Sequence, residues 1–409
     1  MSHSSPTSEH SADERIPFIL GLARALHEAG HSTYRLEEAL DATSERLGLI
    51  GQYFVTPTSI FASFGSEARQ RTYMIRTAPK PPDLGRLVRV TEVATAVLRS
   101  EVRPAEGTIR LAAVADRPPP APLVLIAAHG VASAAAASFL GGAGLEVGMA
   151  SLAGLGTGAL AAAAARLPNV GRVYELAAAF VCSFAMALLG VLVGGYSVSI
   201  ATLAGLIVLI PGLTLTTAIA ELAHSHLSAG TARMAAAFMT FIAIGFGVAL
   251  GARVAALLVG PAQVVTPGTL PAVATWAALG ASAVAFAILL RAEWRDLGWI
   301  VLAGAVAFVG TRIGSSLLGP ELGVFLGALA VGLGSNLFNR RTLRPAAVTL
   351  VPGLLVLVPG SIGFRSVSAL LESRVVAGID TAFGMMLTAV SLVAGLLTAA
   401  AIYPERRLG

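Results

Sequence analysis

The chain has 409 residues, 55% hydrophobic and 12% charged, with a mean hydropathy of +0.77 and a formal net charge of +5. Soluble domains carry about 25% charged residues, so an ordinary soluble domain is excluded and a membrane protein is expected. A single cysteine, Cys182, sits in an apolar run and rules out a disulfide framework or a cysteine-based metal site.

In chain order, residues 1–14 are polar and aperiodic and read as a disordered tail; no apolar core follows that would make a cleavable signal peptide. From Ile16, the apolar residues Ile19, Leu22, Ala23, Leu26 and then Leu36, Ala39, Leu40 recur at helical spacing. Gly30 separates two helices, Ser32 or Thr33 is placed to cap the second, and that helix ends near Gly48. Residues 52–64 and 71–77 are β-branched and aromatic and read as strands. A third helix covers 84–100, and residues 108–114 add a strand or a helix before the Pro-rich linker Arg117–Pro122. Residues 15–120 thus form a small α/β domain, expected to be cytoplasmic.

Ten membrane spans are expected after it, near 122–141, 145–165, 172–193, 197–220, 231–252, 270–290, 297–318, 321–338, 345–364 and 378–402. With the α/β domain inside, ten of the fourteen arginines beyond residue 120 fall on the inner side and four on the outer. That asymmetry obeys the positive-inside rule and puts both termini in the cytoplasm. It also accounts for a pI near 9.9 without nucleic acid. The octapeptide GLIVLIPG from Gly205 returns as GLLVLVPG from Gly353, 148 residues later and identical at six of eight positions. The same offset joins Gly171 to Gly319, Leu222 to Leu370, Gly230 to Gly378 and Gly247 to Gly395. Spans one to five (residues 121–260) therefore read as a repeat of six to ten (261–409). Five is odd, so the second half enters the membrane inverted.

Both octapeptides end in Pro-Gly, which is hard to accommodate in a continuous helix. A duplicated, Pro/Gly-interrupted span is the sequence signature of a secondary transporter's binding site. The inverted repeat puts the first break toward the inner side of span four and the second toward the outer side of span nine. The bland alternative is a pair of proline kinks.

Three stretches resemble the threonine/serine exporter family, often called ThrE. They are ARALHEAGHSTYRLEEALDATSERLGL from Ala23 with YFVTPTSIFASF and DLGRLVRV, IVLIPGLTLTTAIAELAHSHLSAGTAR from Ile207, and LVPGSIGFRSVSAL from Leu357. The resemblance implies ten spans, a cytoplasmic N-terminal domain, and export of threonine and serine driven by protons. Relatives with the halves on separate chains are linked to dicarboxylate export, which stays open as an alternative.

Candidate site residues follow. At the first break, Pro211 and Gly212 free backbone groups, and Thr214, Thr216 and Thr217 offer hydroxyls suited to a hydroxyl-bearing amino acid. At the second, Pro359 and Gly360 are followed by Ser361 and by Arg365, which could pair a carboxylate. Ionisable groups inside spans are costly, so His129, Glu175, Glu221 and Asp380 are candidates for carrying a proton. Their bland readings are a packing histidine, a Glu175–Arg172 pair at the interface, and a helix-capping Asp380. The Gly-rich run from Gly141 reads as close helix packing, not as a phosphate loop. His27-Glu28-Ala29-Gly30-His31 matches HExxH literally and supplies a competing reading, a membrane-tethered metallohydrolase. Gly30 interrupts the helical face that zinc binding needs, so neither a metal nor another cofactor is expected. The expected partners are substrate, protons and the bilayer, with association of copies left open.

Overall fold

The computed structural model describes residues 7–115, 118, 120–171, 173–261, 263, 265–268, 270–357, 360–371 and 374–406. The N-terminal domain comprises helices α1 (Thr7–Glu28) and α2 (Thr33–Arg46), strands β1 (Gly51–Val55), β2 (Ser59–Phe64) and β3 (Arg71–Arg76), then α3 (Leu84–Leu98) and α4 (Pro104–Ala115). Phe18, Ile19, Leu22 and Leu26 form one helical stripe on α1 and are fully buried against Leu36 and Leu40 of α2 and against β2. Gly30 adopts φ +84 to turn the chain between the helices, and a Cβ there would lie 2.7 Å from the Pro82 backbone. The sheet is antiparallel in the order β1-β2-β3, with Val55 opposite Ile60 and Phe64 opposite Arg71. The run 52–64 is a hairpin, not one strand. Pro57 has no N–H for the ladder, and the Thr56 hydroxyl closes the turn by accepting the Ser59 N–H at 3.0 Å. Residues 108–114 lie within helix α4, which starts with Pro104 in its first turn, where a missing donor costs nothing.

The remaining helices are α5 (Pro122–Phe139), α6 (Gly144–Ala164), the single turn α7 (Pro168–Gly171), α8 (Tyr174–Leu192), α9 (Val198–Gly205), α10 (Gly212–Ala223) and α11 (Leu227–Val259). After these come α12 (Ala272–Leu289), α13 (Leu297–Leu318), α14 (Pro320–Thr342), α15 (Ala347–Leu357), α16 (Gly360–Leu371) and α17 (Val375–Ile402). Among the described residues, nine apolar helical stretches are long enough to cross a membrane, with α15 and α16 counted together over Ala347–Leu370. The fourth expected span is the difference. It is split into α9 and α10, about 12 and 18 Å long, and neither alone covers a hydrocarbon core of about 30 Å.

The two octapeptides fold differently. In the first, α9 ends at Gly205, the chain leaves the helix through residues 206–211, and the Thr157 hydroxyl of α6 donates to the Gly205 carbonyl at 3.2 Å. In the second, Gly353 lies inside α15, which stays helical to Leu357, and α16 begins at Gly360. Pro359 lies outside the described residues.

Elsewhere, matched glycines meet matched neighbours. A Cβ on Gly247 would lie 2.5 Å from the Leu176 carbonyl and 2.9 Å from Ala179; on Gly395 it would lie 2.5 Å from the Phe325 carbonyl and 2.9 Å from Ala328. So α8 crosses α11 as α14 crosses α17. Gly230 and Gly378 likewise abut Leu222 and Leu370.

The α/β domain sits on one end of the helical bundle. Leu84 and Gly85 at the start of α3 donate backbone N–H groups to the carbonyls of Leu290 and Arg291 after α12. Val88 packs on Phe338 of α14 and Val348 of α15. Arg35 pairs with Glu405 beyond α17 at 2.5 Å, and His226, before α11, pairs with Glu37 of α2 at 2.9 Å. The end of α10, the ends of α12, α14 and α17, and the start of α15 therefore share the side of the domain. Arg233, Arg291, Arg340 and Arg344 gather there too, bonded to Glu221, Asp83, the Pro404 carbonyl, and Glu293 with Asp296.

Candidate functional site

The first break touches the start of α16. A Cβ on Gly360 would stand 2.6 Å from Ile210 Cγ2 and 3.4 Å from Gly212 Cα, so the start of α16 lies against the start of α10. The two Pro-Gly pairs were expected on opposite sides of the membrane; Gly360 and Gly212, with atoms this close, share one depth. Apolar side chains surround the contact: Ile210, Leu215, Phe241 and Phe364 belong to one buried cluster. Apolar surroundings of this kind strengthen the interactions of whatever polar groups lie among them.

Those groups are sorted by the hydrogen bonds they already make. Thr216 donates to the Gly212 carbonyl at 3.1 Å and Thr217 to the Leu213 carbonyl at 2.9 Å, each within its own helix. Thr214 and Ser361 are half-buried, and among the described residues their hydroxyls have no hydrogen-bond partner. Pro211 caps α10 without a side-chain acceptor; the Gly212 N–H donates to the Ile210 carbonyl at 2.8 Å, and the next two amides, of Leu213 and Thr214, have no backbone acceptor among the described residues. Arg365 is not part of the cluster. It is exposed on the face of α16 opposite Gly363, which packs on Phe241 and Met385.

The four ionisable candidates are dispersed. His129 lies in the tight α5–α6 crossing, its Nδ1 2.8 Å from the Leu125 carbonyl of its own helix. Glu175 is half-buried at the start of α8 and has no hydrogen bond or ion pair among the described residues; its expected partner Arg172 lies outside them. Asp380 is exposed in the second turn of α17. Glu221, fully buried at the end of α10, is tied to the α/β domain. It accepts the Thr33 N–H at 3.1 Å and the Thr33 hydroxyl at 3.0 Å, and it pairs with Arg233 at 3.0 Å. Ser32 makes no side-chain cap on α2, and the first amide of that helix, Thr33 N–H, goes to a carboxylate from the helical bundle instead.

The HExxH match does not assemble. The helix α1 stops at Glu28, His27 Nε2 lies 3.1 Å from the Thr56 carbonyl, and Glu28 binds Lys80 and Arg86. Among the described residues, no group of three His, Cys, Asp or Glu could hold a metal ion.

A cavity of about 320 Å³ opens where the α/β domain meets the bundle. Ala39 and Ala42 of α2 form one wall, Asn336 and Asn339 of α14 another, and Ala220 of α10 reaches its edge.

Two family profiles cover almost the whole chain: one described as "Putative threonine/serine exporter" matches residues 17–255, and one described as "Threonine/Serine exporter, ThrE" matches 275–402. The chain belongs to the threonine/serine exporter family. This exporter-family chain is also similar to the pheromone-regulated membrane protein 10 of Candida albicans, 25% identical over 91% of the chain and 34% of the relative. The protein of that name from Zygosaccharomyces rouxii is 27% identical over 87% of the chain and 38% of the relative. An uncharacterised protein of Schizosaccharomyces pombe is 28% identical over 86% of the chain and 48% of its own length. The chain thus spans about a third to a half of the curated relatives it matches. No solved structure matches.

Within this exporter-family fold, sequence reasoning passed over two sets of polar residues. Glu146, in the Gly-rich run, is buried and accepts the N–H groups of Ala143 at 2.9 Å and Ser197 at 2.8 Å. Asn336 and Asn339 lie three apart in an apolar span and face the cavity; amides at helical spacing in such a run were the available signal.

Proposed function

We propose that the chain is a secondary transporter exporting threonine, serine and similar small amino acids in exchange for protons across the plasma or inner membrane, with both termini cytoplasmic. The contact between the first break and the start of α16 carries this reading. In this reading the hydroxyls of Thr214 and Ser361, which have no partner among the described residues and stand two residues past Gly212 and one past Gly360, flank that contact, which suits a small zwitterion bearing a hydroxyl. In this reading the helices form ten crossings in two halves of opposite orientation. Two observations support that: α10 ends at the α/β domain whereas α15 begins there, and the glycine crossings of one half recur in the other. The unlike conformations of the octapeptides fit a pair of halves caught at different stages of one rocking motion. Arginines gathered at the α/β-domain end support a cytoplasmic location for that end.

A dicarboxylate would need a cation at the breaks, and Arg365 stands on the opposite face of its helix. Efflux from proteoliposomes loaded separately with labelled threonine, serine and succinate tests the substrate class. Threonine and serine should leave faster than from protein-free vesicles while succinate stays at background; succinate efflux alone would reject the assignment.

A further inference from the structure

The cavity under the α/β domain is separate from the breaks and has its own charged equipment. Arg35 projects from α2 and pairs with Glu405 Oε2 at 2.5 Å, while its Nε donates to the Tyr34 hydroxyl at 3.2 Å. A guanidinium has five N–H donors, so three remain. Glu405 accepts the Ala346 N–H at 3.0 Å through its other oxygen and retains lone pairs on both. Asn336 commits its amide nitrogen to the Tyr403 carbonyl at 2.7 Å, which fixes its carbonyl oxygen as a free acceptor facing the cavity. Donors for a carboxylate and acceptors for an ammonium therefore line one chamber of about 320 Å³, a size typical of small-molecule sites. Beyond them the lining turns apolar, with Leu350, Val393 and Leu396.

We propose that this chamber is a second, cytoplasmic-side binding site for an α-amino acid, with Arg35 taking the carboxylate and Glu405 and Asn336 the ammonium. It rests on the transport reading for its role, as a loading site upstream of the breaks, but not for its chemistry. The chamber reaches Ala220, next to the latch residue Glu221 on the helix that carries Thr214. Occupancy there is felt by the same rigid helix that forms half of the break contact.

Cysteine protection in the full chain tests the proposal. The one native cysteine, Cys182, is buried in the bundle, so an Ala42→Cys variant places a single accessible thiol on the chamber wall. In nanodiscs, threonine, serine and glycine should slow maleimide labelling. Threoninol, which lacks the carboxylate, and 3-hydroxybutyrate, which lacks the ammonium, should not. Adding Arg35→Ala should raise the half-protecting concentration about tenfold, the loss of one charge-assisted hydrogen bond. Adding Glu405→Gln instead should erase the preference for threonine over 3-hydroxybutyrate, which keeps a readout if the Arg35 variant fails to fold. Thr214→Ala should leave protection unchanged. Absence of protection by all three amino acids, equal protection by the two analogues, or protection indifferent to both chamber variants would overturn the proposal. Protection without threonine efflux rejects the transport reading and leaves the chamber standing; efflux without protection rejects the chamber alone.

Discussion

Thr214 differs from Thr216 and Thr217 in one respect that bears on its proposed role. Its hydroxyl has no partner among the described residues, whereas theirs are bonded to their own helix at 3.1 and 2.9 Å. Thr214→Ala and Ser361→Ala should each lower the threonine efflux rate by about tenfold, the worth of one hydrogen bond in a dry site, with folding intact by thermal melt. Thr216→Ala and Thr217→Ala should come within about twofold of wild type. Glu221 ties the end of α10 to the α/β domain. Its carboxylate is fully buried and holds Arg233 and Thr33, so Glu221→Ala leaves an uncompensated cation and should cost about 3–5 kcal/mol, read as a large fall in melting temperature. At His31, burial and the neighbouring Arg35 push the imidazole pKa down to about 4 from 6.5. The folded state favours neutral His31, so its stabilising contribution is complete above pH 6.5 and is lost as pH falls toward 4. The melting temperature of the wild type should therefore drop more between pH 6.5 and 4.5 than that of His31→Gln.

At the scale of elements, the fold's regularities come from small residues at crossings. Gly247 and Gly395 each leave room for a carbonyl that a Cβ would approach to 2.5 Å, so alanine at either position should cost roughly 1–3 kcal/mol, and by similar amounts. Gly384 has nothing within 4 Å of a would-be Cβ, and Gly384→Ala should raise the melting temperature through helix propensity alone. Thermal melts of the three variants check both statements. This periodic grammar is what made the elements legible: spans, the Gly30 turn and the glycine matches all follow from local pattern. Where tertiary partners decide, pattern gave less. Residues 206–211 leave the helix although the same octapeptide stays helical at 353–357, and the difference lies in partners such as Thr157, not in the words themselves. The Thr33–Glu221 bond joins residues 188 apart, beyond any periodicity, so Ser32 looked like a cap that it does not form. The break residues of α10 could be named from sequence, but not which hydroxyl among them was free, nor that Arg365 and Asp380 turn outward.

On the scale of the whole molecule, an α/β domain grips the ends of five helices while the split fourth span meets the start of α16 inside the bundle. The grip and the break share helix α10, which is bonded to Thr33 at its end and touches Gly360 at its start. The domain is thus joined through one helix to the proposed site, and in the proposed orientation its chamber lies where a cytoplasmic substrate would enter. All of this serves one claim: that the paired breaks move a hydroxylated amino acid outward at the expense of a proton gradient. Labelled threonine efflux from proteoliposomes, with and without an imposed pH gradient, tests it most directly. Efflux should accelerate when protons are more concentrated on the side that receives threonine, and Thr214→Ala should lower efflux about tenfold with or without the gradient. Efflux indifferent to the gradient would contradict proton exchange, and no efflux above protein-free vesicles would contradict the account as a whole.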